Sequence, residues 1–585
     1  MAHARSALAV PESMQKKDHV DKASAGAPQA ALAFARGLGQ AAGMILRLSP
    51  AADGATVRAT ATTIPAQTGQ NLAQAVWLSG RVPPLPLCGG LGRCGRCRVR
   101  FVRDAPPPLP AETAYFSEGD LAAGWRLACR RQVPDDATEL ELPPEHLFPA
   151  PAAGVAAPSA RPSAEAAASL PELALAVDLG TTSVYWRALD AAGAAVAQGH
   201  GLNPQAGAGA DVMSRLAVAR RPEGRRRLAG LARGFLRDVM AGLERRGLGR
   251  VTRLCLAANT AMTDIFCDRD VEGLCAAPYR LSHGGNEVVA LPDFPPVYLP
   301  PLSAPFVGGD VSAGLTALLA AGTPRPFVLA DLGTNGELAL LTREDQLWLT
   351  SVPLGPALEG IGPECGRPAG PGVVTSFGLR PAGLTAAFHP AAVTASPASG
   401  AARARGISAT GYLSLLAILL RTGLLTSEGH FVAAPPMPLA RRLAANLEPG
   451  DPRHGARLHV PHGLWLAAAD VEELLKVKAA FAVALEMLLS AAGCAPADVA
   501  VLCLAGALGE HVAADDLATL GFVPPALAPR IRAVGNSALE GACLLALHGE
   551  LRAEPARLCA RARVLSPVDA PDFHNAYLRH MRLGA

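Results

Sequence analysis

Short apolar runs recur along the chain, and in its longer C-terminal part they alternate with segments of helical spacing. Residues 173–177, 327–330 and 499–504 are apolar runs of strand length, and each predicts a strand. Residues 44–48 predict another strand, residues 69–78 have the spacing of a short amphipathic helix, and residues 97–102 alternate like a strand. The pattern therefore predicts a protein of the α/β class with more than one layer.

Length and composition divide the chain into four parts. With 585 residues, the chain is longer than one hydrophobic core usually serves, so several domains are expected. Residues 1–41 form an irregular, Ala-rich arm, and residues 42–147 form a first folded unit. Residues 148–172 are almost wholly Ala, Pro, Ser and Gly, which predicts a semi-extended tether. We expect this tether to let the first unit swing relative to a larger body at residues 173–585.

Charge and apolar content exclude several functional classes. The 53 basic and 50 acidic residues nearly cancel and only 4% of residues are aromatic, so no nucleic-acid partner is expected. The longest apolar runs, residues 315–321 and 413–420, fall short of the ~18 residues of a membrane-spanning helix. The N-terminal residues lack the apolar core of a secretory signal. We therefore expect a cytoplasmic protein without a membrane partner.

Four of the twelve cysteines are grouped, and their spacing favours an iron–sulfur cluster. Cys88, Cys94 and Cys97 lie in the glycine-rich segment LCGGLGRCGRCRVRF, and Cys129 follows in RLACRRQV. Structural zinc sites prefer paired C-x2-C knuckles, whereas here one close pair follows a lone cysteine. The glycines let the backbone wrap tightly and point N–H groups at sulfur atoms. The predicted group is a [2Fe–2S] cluster; a zinc site and a redox-only cysteine set are the alternatives.

This cysteine spacing resembles the [2Fe–2S] ferredoxins, in the adrenodoxin-like variant with one residue more than the plant type. The predicted order of strands and helix is similar to the β-grasp fold of those ferredoxins. Arginines surround the cysteine loop, either as solvated surface charge or as a docking surface for an acidic protein. They are Arg93, Arg96, Arg98, Arg100, Arg126, Arg130 and Arg131.

A second motif, an apolar strand that ends in Asp-Leu-Gly-Thr, occurs twice. One copy begins at Asp178 and the other at Asp331, about 150 residues later. Small turns with hydroxyl groups present N–H and O–H donors to phosphate oxygens, and the leading carboxylate can hold Mg²⁺ or its water. Further on, residues 505–509 form a glycine turn, and residues 535–542 open a predicted helix. Asp310 heads another predicted helix, in VGGDVSAGL.

The order of these motifs resembles the actin/Hsp70/sugar-kinase superfamily, whose ATPase fold is ribonuclease H-like. The resemblance implies that Asp178 and Asp331 lie on the metal side of the nucleotide and that Asp310 orients the attacking water. It implies nucleotide contacts from Gly180, Thr181, Thr182, Gly333, Thr334, Asn335, Gly506, Gly509 and Asn536. Ala507 and Leu508 depart from the glycine-rich adenosine loop of that superfamily.

A ferredoxin joined to an actin-like ATPase resembles the ferredoxin-containing reductive activators of corrinoid-dependent methyltransferases. NPQAGAGADVMSRL at residues 203–216 and AANTAMTDIF at residues 257–266 add to the resemblance. It implies ATP-dependent, one-electron reduction of a Co(II) corrinoid protein to Co(I), with a [2Fe–2S] cluster, ATP and Mg²⁺ as cofactors. The implied partners are the corrinoid protein and an upstream electron donor, and a homodimer is compatible with the family.

Two other functions remain open from the sequence. One is a small-molecule kinase with a redox-sensing ferredoxin domain, in which Asp310 is the general base. The other is a nucleotide-gated ferredoxin that carries electrons to another enzyme. Asn203 and Asp211 approach the nucleotide or cap turns, and the basic run at residues 215–237 is expected on exposed helices.

Overall fold

The computed structural model describes residues 43–48, 62–92, 94–135, 138–143, 170–389, 404–451, 454–506, 512–567, 570 and 572–584. The predicted arm, most of the predicted tether, Arg93 and Gly509 lie outside these residues. Within them, every helix is too short or too polar to cross a bilayer.

The first unit is a five-stranded mixed sheet with one buried helix. Its elements are β1 (Gly43–Leu48), β2 (Thr62–Pro65), α1 (Leu72–Trp77), β3 (Arg98–Phe101), α2 (Pro110–Thr113), α3 (Glu118–Ala122), β4 (Trp125–Leu127) and β5 (Glu139–Leu142). The strand order is β2-β1-β5-β3-β4, and β1 is antiparallel to β2 and parallel to β5. The strands predicted at residues 44–48 and 97–102 are confirmed to within one residue. Helix α1 begins later than predicted because Asn71 caps it, accepting a hydrogen bond from the Gln74 N–H.

The first half of the body is a six-stranded sheet covered by helices. Its elements are β6 (Glu172–Leu179), β7 (Ser183–Leu189), β8 (Ala195–Leu202), α4 (Val212–Ala219), α5 (Pro222–Arg245), β9 (Arg250–Ala257), α6 (Thr260–Cys267), α7 (Glu272–Cys275), β10 (Glu287–Val289) and β11 (Val297–Leu299). The strand order is β10-β11-β9-β6-β7-β8. Strands β6, β7 and β8 are antiparallel neighbours, whereas β9 is parallel to β6 and β11 is parallel to β9.

The second half repeats this arrangement and adds two small sheets. Its strands are β12 (Phe327–Leu332), β13 (Asn335–Leu341), β14 (Leu347–Pro353), β15 (Val373–Arg380), β16 (Gly383–Phe388), β17 (Gly406–Ile407), β18 (Leu447–Asp451), β19 (Gly455–Val460), β20 (Leu464–Ala467), β21 (Val501–Ala505), β22 (Ile531–Gly535) and β23 (Arg563–Leu565). The helices that follow α7 are α8 (Gly309–Ala320), α9 (Ala409–Arg421), α10 (Pro438–Ala444), α11 (Ala468–Ala491), α12 (Ala514–Leu520), α13 (Ser537–Leu547), α14 (Ala553–Ala560) and α15 (Phe573–His580).

The two large sheets of the body share one topology. In the second half the order is β22-β21-β12-β13-β14-β23, with β21 parallel to β12 and β22 parallel to β21. Apart from one edge strand in each sheet, β10 beside β11 and β23 beside β14, each half therefore has three antiparallel strands followed by two parallel ones, in the spatial order third, second, first, fourth, fifth. This repeat confirms the actin-like fold that was predicted for the body.

Helices α8 and α13 join the halves by crossing at very close range. A Cβ atom on Gly541 of α13 would overlap the backbone carbonyl of Ala313 on α8. Gly314 of α8 faces Ser537 of α13 with equally little space. Because α8 begins beside Asp310 and α13 is capped by Asn536, this crossing brings two predicted site residues to the junction of the halves.

The first unit packs directly on the first half of the body. The sequence predicted instead a unit that swings on a tether. Trp77 of α1 lies on the 3-10 helix Pro204–Ala208, and the Arg227 Nε donates to the Leu78 carbonyl at 2.7 Å. The expectation of exposed helices at residues 215–237 is wrong at Arg215, whose side chain is completely buried.

Candidate functional site

The four predicted cluster cysteines converge in the first unit. Cys88, Cys94 and Cys97 come from the loop between α1 and β3, and Cys129 comes from the 3-10 turn that follows β4. Thiol–thiol hydrogen bonds from Cys88 and Cys97 raise the pKa of Cys129, and Cys88 in the same way raises the pKa of Cys94. Four thiols distant in sequence are thus held within hydrogen-bonding reach of one another.

Glycine lets the cysteine loop turn tightly. Gly95 has a φ of 62°, and a Cβ there would overlap the Tyr115 hydroxyl, so this turn requires glycine. Four cysteine thiolates are the usual ligand set of an iron–sulfur cluster, and the four converging thiols of this unit match that set. The donor set therefore fits an iron–sulfur cluster.

A buried ion pair supports the turn that carries Cys129. The Glu112 carboxylate, fully buried, pairs with Arg131 and accepts hydrogen bonds from the Leu109 and Leu127 N–H groups. The Arg126 guanidinium is buried as well and donates to backbone carbonyls, including that of Pro106 at 2.7 Å. The prediction of an exposed arginine ring is therefore wrong for Arg126, and Arg131 is engaged in a structural contact.

The two predicted phosphate turns face each other across a cleft between the halves of the body. The Thr182 and Thr334 hydroxyl groups lie 3.2 Å apart, one from each turn. The cleft has a volume of about 270 Å³. The predicted residues that line it are Asp178, Gly180, Thr181, Thr182, Asp310, Asp331, Gly333, Thr334, Asn335, Gly506 and Asn536. The structure thus brings together the predicted site residues of the body that it describes.

Three buried carboxylates in the cleft have pKa values far above those of exposed aspartates. Burial raises the pKa of Asp178 to about 8, and the charges of Asp331 and Asp310 add to the rise. Burial likewise raises the pKa of Asp331 to about 7 and that of Asp310 to about 6. The Asn536 amide partly offsets this by donating to Asp178 at 2.7 Å. Such a group of acids takes up either protons or a cation.

The acidic side of the cleft fits Mg²⁺ bound together with a nucleotide. Mg²⁺ usually takes one or two protein carboxylates, with phosphate oxygens and waters as its remaining ligands. Asp178 and Asp331 lie near the ends of the first strands of the two halves, β6 and β12, where they can supply such oxygens from both sides of the cleft. Hydroxyl groups of Thr181, Thr182 and Thr334 line the same cleft as donors for phosphate oxygens.

Two polar residues of the cleft were missed by the sequence analysis. Glu359 is half-buried; burial raises the pKa of this carboxyl, which accepts a hydrogen bond from the Thr334 hydroxyl at 2.6 Å. The Asn259 amide caps α6 and donates to the Thr181 hydroxyl at 3.1 Å. Asn259 lies within the AANTAMTDIF motif, which drew attention to the segment without indicating a role. No pattern marks Glu359, which follows a short 3-10 turn.

Asn203 and Asp211 take positions that the sequence left open, and Glu337 adds a further carboxyl group to the cleft. The Glu337 carboxyl lies in the cleft, and burial raises its pKa well above the usual range. The Asn203 amide holds the Gly180 carbonyl at 2.7 Å, behind the first phosphate turn. Asp211 caps α4 by accepting from the Ser214 N–H.

The repeated halves and the facing phosphate turns define an actin-like ATPase domain attached to a unit with four converging thiols. Two family models match the chain in succession: the RACo middle region over residues 173–320, and the C-terminal domain of RACo, the ASKHA domain, over residues 325–585. Together they span well over half of the chain. The chain belongs to the RACo family, which confirms its resemblance to the reductive activators.

Relatives with known roles agree with this assignment. The corrinoid activation enzyme RamQ of Eubacterium limosum is 25% identical over 442 residues, covering 71% of this chain and 71% of RamQ. The [Co(II) methylated amine-specific corrinoid protein] reductase of Methanosarcina barkeri is 26% identical over 369 residues, covering 57% of this chain and 62% of that protein. A solved reductive activator for corrinoid,iron-sulfur protein shares the fold, with 20% identity, a TM-score of 0.62, and coverage of 93% of this chain and 98% of that chain.

A shorter match concerns a single segment. One component of the Na(+)-translocating NADH-quinone reductase of Chlamydia pneumoniae is 38% identical over 81 residues. These residues cover 14% of this chain and 18% of that protein. Because so little of either protein is involved, the similarity is that of one unit within two different proteins.

Proposed function

We propose that this protein is an ATP-dependent reductive activator that passes one electron to the Co(II) centre of a corrinoid protein and so forms Co(I). The observation that carries the proposal is the presence, in one chain, of four converging thiols and a two-sided phosphate cleft rich in carboxylates. The names of RamQ and of the Methanosarcina barkeri reductase support the same acceptor. In the transfer, cobalt gains one electron and the iron–sulfur donor loses one.

The electron donor in this proposal is a [2Fe–2S] cluster on Cys88, Cys94, Cys97 and Cys129. When bound, such a cluster stores one electron, at about −400 mV in plant-type ferredoxins. The chain supplies the four thiolates, a tight backbone wrap and a buried Glu112–Arg131 pair behind Cys129. We assign residues 42–147 to a β-grasp ferredoxin domain, supported by the strand order β2-β1-β5-β3-β4 and by the match to the NADH-quinone reductase component.

In this proposal the cleft within residues 173–585 binds and hydrolyses ATP. The threonine hydroxyls of the two turns hold phosphate oxygens, and Asp178 and Asp331 hold Mg²⁺ from opposite halves. Asp310 orients the attacking water and accepts its proton, for which a pKa of about 6 suits operation near neutral pH. Hydrolysis converts ATP and water into ADP and phosphate, after which the two turns no longer share a γ-phosphate.

ATP is needed because the acceptor is hard to reduce. Each 59 mV of uphill one-electron transfer lowers the equilibrium yield about tenfold. Nucleotide can shift this equilibrium only through its different affinity for two conformations of the protein. The cleft between the halves, with Thr182 and Thr334 in contact across it, is where such a change would begin.

A cytoplasmic location is part of the proposal. No disulfide joins any of the twelve cysteines, all of which the structure describes, and a reducing compartment maintains that state. An upstream reductase must reload the cluster after each transfer, since hydrolysis of ATP supplies no electrons.

An anaerobic optical assay tests the function. The reconstituted protein is mixed with a Co(II) corrinoid protein, a chemical reductant and MgATP, and the absorbance of Co(I) is followed. We expect Co(I) with MgATP and little with MgADP. Asp310→Asn should lower both ATP hydrolysis and Co(I) formation about 10²- to 10⁴-fold, as loss of a general base does. Unchanged Co(I) formation in Asp310→Asn would contradict the ATPase mechanism, and Co(I) yields that ignore nucleotide would contradict the proposed function.

A further inference from the structure

The cysteine loop, residues 87–97, lies against the body of the protein. The Leu87 carbonyl accepts a hydrogen bond from the Ala210 N–H at 2.7 Å. Two residues on, Gly89 has a φ of 60°, and a Cβ there would overlap the Ser214 hydroxyl at the start of α4. Only a glycine allows the loop to approach so closely, so the cluster site and α4 are in direct contact.

Residues 203–215, which receive this loop, also hold the first phosphate turn from behind. The Asn203 amide donates to the Gly180 carbonyl, and the Asn203 N–H donates to the Thr182 carbonyl at 2.8 Å. The Arg215 guanidinium donates to the Thr181 carbonyl between them. Three consecutive carbonyls of the turn are thus bound by one segment.

Arg215 joins the middle of this segment to the phosphate turn. Its Nε donates to the Gly209 carbonyl at 3.1 Å, next to the residue that binds Leu87, while its Nη2 reaches the phosphate turn. The side chain is completely buried, and no carboxylate in the described ranges forms an ion pair with it. Breaking these bonds without replacement would leave a buried charge unsatisfied, which is costly. Displacement of Gly209 is therefore expected to displace Thr181 as well, because Arg215 is bound to both.

We infer that residues 203–215, tied by Arg215, couple the cluster to the nucleotide, so that bound ATP lowers the midpoint potential of the cluster and cluster reduction weakens ATP binding. The sign follows from charge, because reduction and nucleotide each add negative charge on opposite sides of the same segment. Linkage requires the two effects to be equal in free energy. The inference rests on the proposed cluster and ATP sites and adds their linkage.

The linkage is measured in both directions on the full-length protein. The affinity for Mg-AMP-PNP is determined anaerobically by calorimetry in the oxidised and the dithionite-reduced protein. The midpoint potential is determined by EPR-monitored titration with and without Mg-AMP-PNP. We expect at least fivefold weaker binding after reduction and a matching downward shift of the potential, in the ratio of 59 mV for each tenfold change. Equal affinities in the two redox states would overturn the inference.

Variants test whether residues 203–215 carry the effect. Arg215→Gln should reduce both shifts, because it removes the hydrogen bonds that join the segment to the phosphate turn, while the cluster spectrum and Mg-AMP-PNP binding persist. Arg220→Gln is the control, because Arg220 lies at the C-terminal end of the same helix, is exposed and pairs with Glu272; it should behave as the unmodified chain does. Full coupling in Arg215→Gln would overturn the role of the segment. Should that variant fail to fold, the two-way measurement on the unmodified protein still decides. Absence of a cluster or of nucleotide binding would instead overturn the proposed function itself.

Discussion

Asp178, Asp310 and Asp331 show how single residues set the energetics of the nucleotide cleft. Their carboxyl groups are buried and face one another, so each unit of raised pKa represents about 1.4 kcal/mol of preference for the protonated form. In the absence of a cation, ionised carboxylates therefore oppose folding. Binding of Mg²⁺ and nucleotide is therefore expected to stabilise the folded protein.

The thermal stability of the metal-free protein should fall as pH rises from about 4 to about 8. The pKa of these aspartates rises from 3.8 to between about 6 and about 8 on folding. Over that window the unfolded chain loses protons that the folded chain retains, so ionisation favours unfolding. Tm should drop across the window, less steeply in Asp178→Asn and hardly at all with saturating Mg-AMP-PNP. A Tm that rises from pH 5 to pH 8 without metal would contradict these pKa shifts.

Each of the four grouped cysteines should be required for assembly of the cluster. Cys129→Ser removes one of the converging thiols, and we expect loss of the visible absorbance after anaerobic reconstitution, with iron content reduced several-fold. Cys494→Ser is the control, because Cys494 is half-buried at the end of α11 and distant from the group. An unchanged spectrum in Cys129→Ser would exclude Cys129 as a ligand.

At the scale of elements, the crossing of α8 and α13 fixes the geometry of the cleft. Gly541 and Gly314 remove the side chains that would keep the helices apart, and each helix starts at a cleft residue. Movement of one half relative to the other must pass through this crossing. The crossing therefore couples closure of the cleft to the placement of Asp310 and Asn536.

Gly541→Ala should destabilise the protein and impair ATP hydrolysis. The added Cβ would overlap the Ala313 carbonyl, and backbone cannot yield as a side chain can. We expect a loss of about 1 to 3 kcal/mol in unfolding free energy, typical of overpacking, and weaker nucleotide binding. The control is Gly230→Ala on α5, where nothing lies within 4 Å of an added Cβ; it should be neutral or slightly stabilising. Equal effects of both substitutions would refute the importance of the crossing.

The elements that carry the site could be predicted from sequence, because each phosphate turn ends a strongly apolar strand. The cysteines and the threonines of the turns were recognisable from local motifs. Glu359 and Arg215 could not be found in this way, because their roles come from burial against residues far away in the chain. The two small sheets of the second half were also missed, since their strands are short and only weakly patterned.

At the scale of the whole molecule, the first unit contacts residues 203–215, which also contact the first phosphate turn. The sequence indicated two domains and a tether, and it suggested free movement between them. Docking depends on contacts such as Trp77 on Gly207 and Gly89 on Ser214, which no local pattern reveals. The proposed cluster, held against residues 203–215, would be placed to respond to changes in the cleft.

The central claim is that the cluster gives up its electron to cobalt only when ATP is bound. Protein with a reduced cluster, freed of excess reductant, is mixed anaerobically with one equivalent of Co(II) corrinoid protein and frozen before and after addition of MgATP. EPR spectra then record the reduced cluster and Co(II) together. The account predicts that both signals disappear in equal amounts after MgATP and persist with MgADP. Loss of the Co(II) signal without nucleotide, or without oxidation of the cluster, would contradict it.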